Sequence, residues 1–230
     1  MQAAVLVGDG LWAVSVPARM EMREMIAVID YGAGNLQSVV KALRFIGADV
    51  AVTADPEVLH AAGAAVLPGV GAFGDAMESL KASGMVDAIY DFVEAGKRPF
   101  LGICVGLQML FEESEESPGV PGLGILPGKI LRIPDAPGRK VPHMGWNDLT
   151  VLDRGGIFKG LPQHPYVYFV HSYYLRAGSP QDVAATTEYG VRIDAAVHRG
   201  NLYATQFHPE KSGRVGLQLL RNFISLVKEG

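Results

Sequence analysis

The 230-residue sequence predicts an α/β fold: a mostly parallel central sheet flanked by helices, with added antiparallel strands in the C-terminal half. From residue 25 onward, short apolar runs alternate with amphipathic helical patterns, which is typical of right-handed βαβ units. After residue 116, proline and glycine become frequent and β-rich runs follow one another closely. Since no repeat or long linker interrupts residues 25–230, we expect one domain there.

The first half of the chain predicts alternating strands and helices. An apolar run at 26–29 predicts the first strand. The stripe of Val39, Leu43 and Ile46 predicts a helix, which is expected to end at Gly47. The later elements expected here are a strand near 50–53, a short helix from Asp55, a strand at 64–67, helical segments across 72–95 with an interruption at Gly84, and a buried strand at 99–103 followed by a helix.

The second half predicts mainly strands joined by short turns, which favours antiparallel pairing. A last helix is expected after Ser212, which would act as its N-cap residue. The expected strands are 125–133, 166–175, 183–187, 195–198 and 202–206, and the core-facing stripe of the last helix is Val215, Leu219, Phe223 and Val227.

Composition restricts the class of protein. The formal net charge of −4 offers no basic face for nucleic acid. No apolar run approaches the roughly 20 residues that a membrane helix needs. A single cysteine excludes an internal disulfide and a multi-cysteine metal site, which suits a reducing cytoplasm. We therefore expect a cytoplasmic protein without metal, nucleic-acid or membrane partners, preceded at 1–24 by an N-terminal extension with little packing.

Cys104 lies in a Gly-x-Cys-x-Gly corner between an apolar run and a helical pattern. Small residues flank a nucleophile at such a corner, because a sharp strand-to-helix turn leaves no room for side chains. A sulfur at a helix N-terminus is favoured as thiolate and faces backbone N–H groups. A lone cysteine in an apolar stretch is more often an inert core residue, so this motif alone leaves both interpretations open.

His208 and Glu210 supply a base and its orienting carboxylate. Pro209 favours an extended conformation for His208, and residues two apart in an extended segment project to the same side. Glu210 can therefore reach the imidazole, fix its tautomer and stabilise its protonated form. A structural histidine beside a solvated glutamate is the weaker interpretation once the cysteine corner is present. We predict a Cys104–His208–Glu210 triad.

Residues 68–71, Pro-Gly-Val-Gly, end the strand at 64–67. The simple interpretation is an ordinary strand-ending turn. Alternatively, the two glycines let the backbone approach a substrate and present an N–H group to a developing oxyanion, together with the amide of Val105. A phosphate loop is disfavoured because the Walker lysine is missing. We expect an oxyanion site at Val70, Gly71 and Val105.

In this order, residues 68–71, 102–108 (GICVGLQ) and 207–210 (FHPE) resemble the triad-type, class I glutamine amidotransferases. Narrower features resemble the glutaminase subunits of imidazole glycerol phosphate synthase, an enzyme of histidine biosynthesis. These features are residues 29–35 (IDYGAGN), 111–116 (FEESEE), 141–147 (VPHMGWN), 171–173 (HSY) and Lys211. The resemblance covers the chain from residue 25 to its end.

The resemblance implies cofactor-free hydrolysis of L-glutamine to glutamate and ammonia. It also implies a heterodimer with a (β/α)₈-barrel cyclase, which uses the ammonia. Its implied contacts with the glutamine head group are Gln108, Glu116, Ser172 and Tyr173, and its implied contacts with the cyclase are Asn35, His143, Met144, Trp146, Asn147 and Lys211. A simpler interpretation, as core, strand or solvated acidic residues, stays open for several of them.

Two alternatives differ in function. The glutaminase subunit of another amidotransferase, such as pyridoxal phosphate synthase, predicts a Gly-Gly-Glu-Ser type of oxyanion segment where this chain has Pro-Gly-Val-Gly. A cysteine peptidase or an inactive interaction module on the same fold is the other. A peptidase would cleave peptides, whereas an amidotransferase would release glutamate and ammonia from glutamine.

Overall fold

The computed structural model describes residues 24–32, 36–95 and 97–229, with side chains to 227. Nearly all of the expected extension, and Asn35, lie outside the described residues, so these two expectations stay predictions. Strands and helices alternate in the first half, as predicted. They are β1 (Ile26–Ile29), α1 (Leu36–Phe45), β2 (Val50–Thr53), α2 (Pro56–Ala61), β3 (Ala64–Gly69), α3 (Phe73–Ala82), α4 (Val86–Glu94), β4 (Phe100–Cys104) and α5 (Val105–Gln108).

The second half consists mainly of strands and ends in a long helix. Its elements are β5 (Glu113–Ser114), β6 (Gly128–Arg132), β7 (His143–Asp148), β8 (Thr150–Val151), β9 (Tyr166–His171), β10 (Tyr173–Ala177), β11 (Val183–Glu188), β12 (Arg192–Arg199), β13 (Leu202–Thr205) and α6 (Gly213–Glu229). The sequence did not predict β7, and the single strand expected at 166–175 is wrong. That run divides at Ser172 into β9 and β10, which belong to different sheets.

The central sheet has the strand order β2-β1-β3-β4-β13-β12-β11-β8. In this sheet order, neighbouring strands from β2 across to β13 are parallel, and neighbouring strands from β13 across to β8 are antiparallel. The predicted mostly parallel sheet with antiparallel additions from the C-terminal half is therefore confirmed. Two smaller sheets, β10-β6-β5 and β7-β9, lie beside it; β10 packs against β12, and β9 packs against α6.

The central strands β1, β3, β4 and β13 are buried at every position, which is expected for parallel strands covered on both faces. The register pairs Gly69 of β3 with Cys104 of β4, and Ile103 of β4 with Thr205 of β13. The carboxyl ends of these three strands therefore meet at one edge of the sheet. That edge is where open α/β sheets bind ligands.

Helix ends agree with the sequence except at α6. The Asp55 carboxylate accepts the N–H of Glu57 at 2.9 Å and caps α2. Ser212 precedes α6, but its hydroxyl does not cap this helix. It donates to the His208 carbonyl at 2.6 Å and accepts the N–H of Tyr168 at 3.0 Å, which ties the start of α6 to the His208 segment and β9. No helix within the described ranges is long and apolar enough to span a membrane.

Candidate active site

Cys104 lies at the carboxyl end of β4, where the chain turns directly into α5. Its backbone has φ 56° and ψ −110°, and among the described non-glycine residues Cys104 alone has a positive φ. Such conformations cost about 1–3 kcal/mol and concentrate at functional sites. The side chain is nearly buried, with 5% of the residue exposed.

The glycines around Cys104 have a steric cause. A Cβ atom at Gly106 would overlap the carbonyl oxygen of Leu67. A Cβ atom at Gly69 would lie 2.6 Å from the backbone nitrogen of Gly106, and one at Gly102 would lie 2.9 Å from the Gly106 carbonyl oxygen. The backbones of β3, β4 and α5 therefore approach too closely for larger residues, as expected for the nucleophile corner.

His208 and Glu210 make the predicted contact, but through a 3₁₀ turn at Pro209–Lys211 and not through the extended segment that the sequence predicted. His208 is extended, with φ −100° and ψ 98°, and Pro209 begins a 3₁₀ turn that brings Glu210 back. Nδ1 of His208 lies 2.9 Å from Oε1 of Glu210, and both side chains are buried. Since a carboxylate accepts, Nδ1 donates. His208 Nε2 has no hydrogen-bond partner among the described residues and is the nitrogen left for proton transfer.

The electrostatics of His208 favour its protonated form. Burial alone would lower the pKa of His208, but interactions with the Cys104 sulfur and the Glu210 carboxylate outweigh burial and raise this pKa to about 9. Beneath the corner, burial first and then the nearby Cys104 raise the pKa of the Tyr31 phenol. Tyr31 therefore stays protonated and donates to the Pro68 carbonyl at 2.9 Å.

A cavity of about 200 Å³ opens beside Cys104 and His208. The cavity is lined by the residues expected for the oxyanion site and by those expected to contact the glutamine head group. These residues are Val70, Gly71, Val105, Gln108, Glu116, Ser172 and Tyr173. Gly71 has φ 92°, a conformation suited to glycine. Lys211, expected at the cyclase interface, also lines this cavity. Glu210 does not line it and lies behind His208.

Gln108 and Glu116 are held by the protein framework. Nε2 of Gln108 donates to the Tyr173 carbonyl at 3.2 Å and to Oε1 of Gln206 at 3.1 Å. Oε2 of Glu116 accepts the N–H of Phe73 at 2.7 Å, at the start of α3. This acidic side chain is therefore half-buried and fixed rather than freely solvated.

Gln206 is a site residue that the sequence reasoning missed. It is fully buried, and its Nε2 atom donates to Sγ of Cys104 at 3.7 Å. A polar residue directly after the apolar strand β13 was a usable signal, because a buried amide requires hydrogen-bond partners.

An exposed apolar face extends along β7 and β9, and we call it the β7–β9 face. Met144 and Trp146 are 61% and 55% exposed, and Trp146 contacts Tyr168 edge to face. Asn147 is half-buried and donates to the Glu188 carbonyl at 3.0 Å. The expected cyclase contact of His143 stays a prediction, and in this structure its side chain projects from the side of β7 opposite to Trp146 and only 3% of the residue is exposed.

Comparison with known proteins agrees with this geometry. The family model "Glutamine amidotransferase class-I" matches residues 27–226. The imidazole glycerol phosphate synthase subunit HisH of Methanothermobacter thermautotrophicus is 54% identical over 204 residues, which cover 89% of this chain and 100% of that protein. The HisH subunit of Thermosynechococcus vestitus is 53% identical over 206 residues, which cover 89% and 98% of the two chains.

Solved structures share the fold. A crystal structure of a glutamine amidotransferase has a TM-score of 0.69 at 25% identity and covers 88% of this chain and 98% of its own. The PurLQS structure from Thermotoga maritima, with a TM-score of 0.67 at 20% identity, covers 87% and 97% and shows the fold alone. The chain thus belongs to the class I glutamine amidotransferase family, and within this family it is similar to the HisH subunits of imidazole glycerol phosphate synthase.

Proposed function

We propose that this chain is a glutaminase subunit that hydrolyses L-glutamine with a Cys104–His208–Glu210 triad. Its ammonia passes to a (β/α)₈-barrel cyclase, which makes imidazole glycerol phosphate and an aminoimidazole carboxamide ribotide in histidine biosynthesis. The observation that carries the proposal is the strained Cys104 corner, which shares a cavity with His208, whose imidazole is bonded to the buried Glu210 carboxylate. Similarity to HisH subunits over nearly the whole chain favours this function over pyridoxal phosphate synthesis or peptide cleavage.

The first step forms a thioester. The Cys104 thiolate attacks the side-chain amide carbon of glutamine, and negative charge develops on the amide oxygen. Backbone N–H groups at Gly71 and Val105 are the proposed donors to this oxygen, and one such donor typically contributes about 3 kcal/mol. Nε2 of protonated His208 gives its proton to the leaving nitrogen, the C–N bond breaks, and ammonia departs.

The second step releases glutamate. The now neutral Nε2 of His208 accepts a proton from water as that water attacks the thioester carbon. The C–S bond breaks, the new γ-carboxyl group gives its remaining proton to the solvent as glutamate leaves, and the thiolate–imidazolium pair is restored. Glu210 keeps the proton on Nδ1 throughout, so Nε2 is the nitrogen that exchanges protons.

Transfer of ammonia requires a closely docked partner, because ammonia released into neutral water becomes ammonium, which cannot attack. We propose that the β7–β9 face docks the cyclase in a heterodimer, with Met144 and Trp146 as apolar anchors. Asn147, Lys211 and Asn35 complete the proposed interface. We expect weak glutaminase activity without the cyclase, since an uncoupled subunit would waste glutamine.

Two broader expectations accompany this proposal. We expect the reaction to take place in the cytoplasm, because the chemistry needs a reduced thiol and thiols stay reduced there. We also expect residues 25–230 to form the functional domain, and this expectation is supported by a family match over residues 27–226, which includes every proposed site residue.

The test combines the chain with the candidate cyclase, its phosphoribulosyl substrate, and either glutamine or an ammonium salt. Cys104→Ala and His208→Asn should abolish the glutamine-driven reaction and leave the ammonium-driven reaction unchanged. His198→Asn is a matched control, because His198 also bonds a carboxylate, Asp153, at 2.6 Å but does not line the cavity. Glutamine-driven turnover that persists in Cys104→Ala excludes this residue as nucleophile, and cleavage of peptides by the wild type would favour the peptidase.

A further inference from the structure

Two buried histidines lie between the β7–β9 face and the cavity beside Cys104. His143 of β7 and His171 of β9 are direct partners in the antiparallel register. They are 3% and 6% exposed, and His171 lines the cavity. Neither takes part in the proposed triad.

The hydrogen bonds of this pair determine its tautomers. Nδ1 of His171 lies 2.8 Å from the Tyr173 carbonyl oxygen, which can only accept, so Nδ1 carries the proton. Nε2 of neutral His171 is then an acceptor, and it lies 3.0 Å from Nδ1 of His143. His143 must donate this bond, so both rings are protonated on Nδ1.

The surroundings keep both rings neutral. Burial lowers the pKa of His143 to about 4. Burial, together with the nearby His143 and His208, lowers the pKa of His171 to about 3 against the opposing effect of its bond to Tyr173. The His143 ring stacks on Tyr189, at 4.0 Å between centroids, and on Phe169, at 4.7 Å.

The chain of hydrogen bonds continues beyond the pair at both ends. On the β7 side, Nδ2 of Asn147 lies 3.4 Å from Nε2 of His143, which is free to accept. On the cavity side, the Tyr173 carbonyl also accepts from Gln108, which donates in turn to Gln206. Gln206 donates to Sγ of Cys104. Polar groups therefore connect β7 to the sulfur, and loss of the His143–His171 bond would leave the buried Nε2 of His171 without its donor.

We propose that His143 and His171 are positioning residues, which hold the Tyr173 carbonyl and, through Gln108, shape the glutamine pocket in response to the position of β7. A partner on the β7–β9 face would touch Met144 and Trp146, which share β7 with His143 but project from its other side. Strand β7 is thus one element that both the partner and the pocket contact, as coupling between two sites requires. This inference rests on the proposed glutaminase function.

Kinetics of the assembled complex test the inference. His143→Leu removes both ring nitrogens, whereas His143→Asn retains an N–H donor close to the position of Nδ1. Phe169→Leu is the matched control, because it reduces packing on the same ring without removing a side-chain hydrogen bond. We expect kcat/KM for glutamine to fall about tenfold in His143→Leu, to recover to within about threefold of wild type in His143→Asn, and to stay in that range in Phe169→Leu. The ammonium-driven rate should not change.

Nitrogen-15 NMR of the histidine side chains provides a second readout, which needs no turnover. Both rings should be neutral and protonated on Nδ1 at pH 6. A charged ring, an Nε2-protonated ring, or a His143→Leu variant no slower than Phe169→Leu overturns the inference while the proposed function stands. A wild-type complex that releases no glutamate from glutamine overturns the proposed function and this inference with it.

Discussion

Replacing Cys104 by glycine should leave the folded chain more stable than replacing it by alanine, which reverses the usual order of these two residues. Alanine keeps the Cβ atom that makes φ 56° and ψ −110° unfavourable, whereas glycine removes it. The comparison isolates backbone strain, because neither variant carries a thiol.

The expected difference is about 1 kcal/mol. The ψ of Cys104 lies far outside the left-handed well, so the strain belongs in the upper part of the range of about 1–3 kcal/mol. Two terms oppose it: glycine is disfavoured by roughly 0.5–1 kcal/mol through its freedom in the unfolded chain, and the lost buried methyl group costs about 0.8 kcal/mol. The relief of strain exceeds their sum.

Urea unfolding at pH 7 measures both free energies. Ala204→Gly is the control, because Ala204 is fully buried in the neighbouring strand β13 and has an ordinary negative φ. The free energy of unfolding of this control should be about 1–2 kcal/mol lower than that of wild type. The free energy of unfolding of Cys104→Gly could instead be lower than that of Cys104→Ala, by as much as Ala204→Gly is lower than wild type. In that case the corner stores no strain, and the inference from strain to a catalytic role fails.

Three other perturbations have defined outcomes. Gln206→Leu removes the donor to the Cys104 sulfur and should slow the glutamine-driven reaction about tenfold at an unchanged ammonium-driven rate; equal loss of both rates would contradict a role at the thiol. Trp146→Ala should weaken cyclase binding by about 2 kcal/mol in calorimetric titration, whereas Leu152→Ala, at an exposed residue outside the β7–β9 face, should not. The folded-state pKa of His143, about 4, lies below its unfolded value of about 6.5, so the unfolded chain binds more protons between these values and stability falls as the pH drops through this window. Urea unfolding should therefore show that, from pH 7 to pH 5, the free energy of unfolding of wild type falls by about 2 kcal/mol more than that of His143→Asn. Equal falls in the two proteins would mean that His143 is charged in the folded state.

Local patterns predicted the parallel half of the sheet well, because strands covered on both faces are continuous apolar runs that end at glycine or at a helix cap. Strand β7 lacked such a signal. Along its six residues, a side with exposed apolar residues alternates with an inward side that carries His143. Because this inward residue is polar, β7 does not show the alternation of buried apolar and exposed polar residues on which strand prediction depends. The division between β9 and β10 at Ser172 could not be predicted either, because the two strands form one continuous β-rich run in the sequence.

Two local parts of the site could be inferred from the residues alone, because short-range sterics dictate them: glycines around Cys104 permit the turn, and Pro209 brings Glu210 onto His208. Which distant groups meet depends instead on how the strands pair. Gln206 reaches the sulfur from 102 positions along the chain because β13 pairs with β4 in one particular register. The inward direction of His143 is likewise set by the pairing of β7 with β9, since a shift of one residue would exchange its side with that of Trp146.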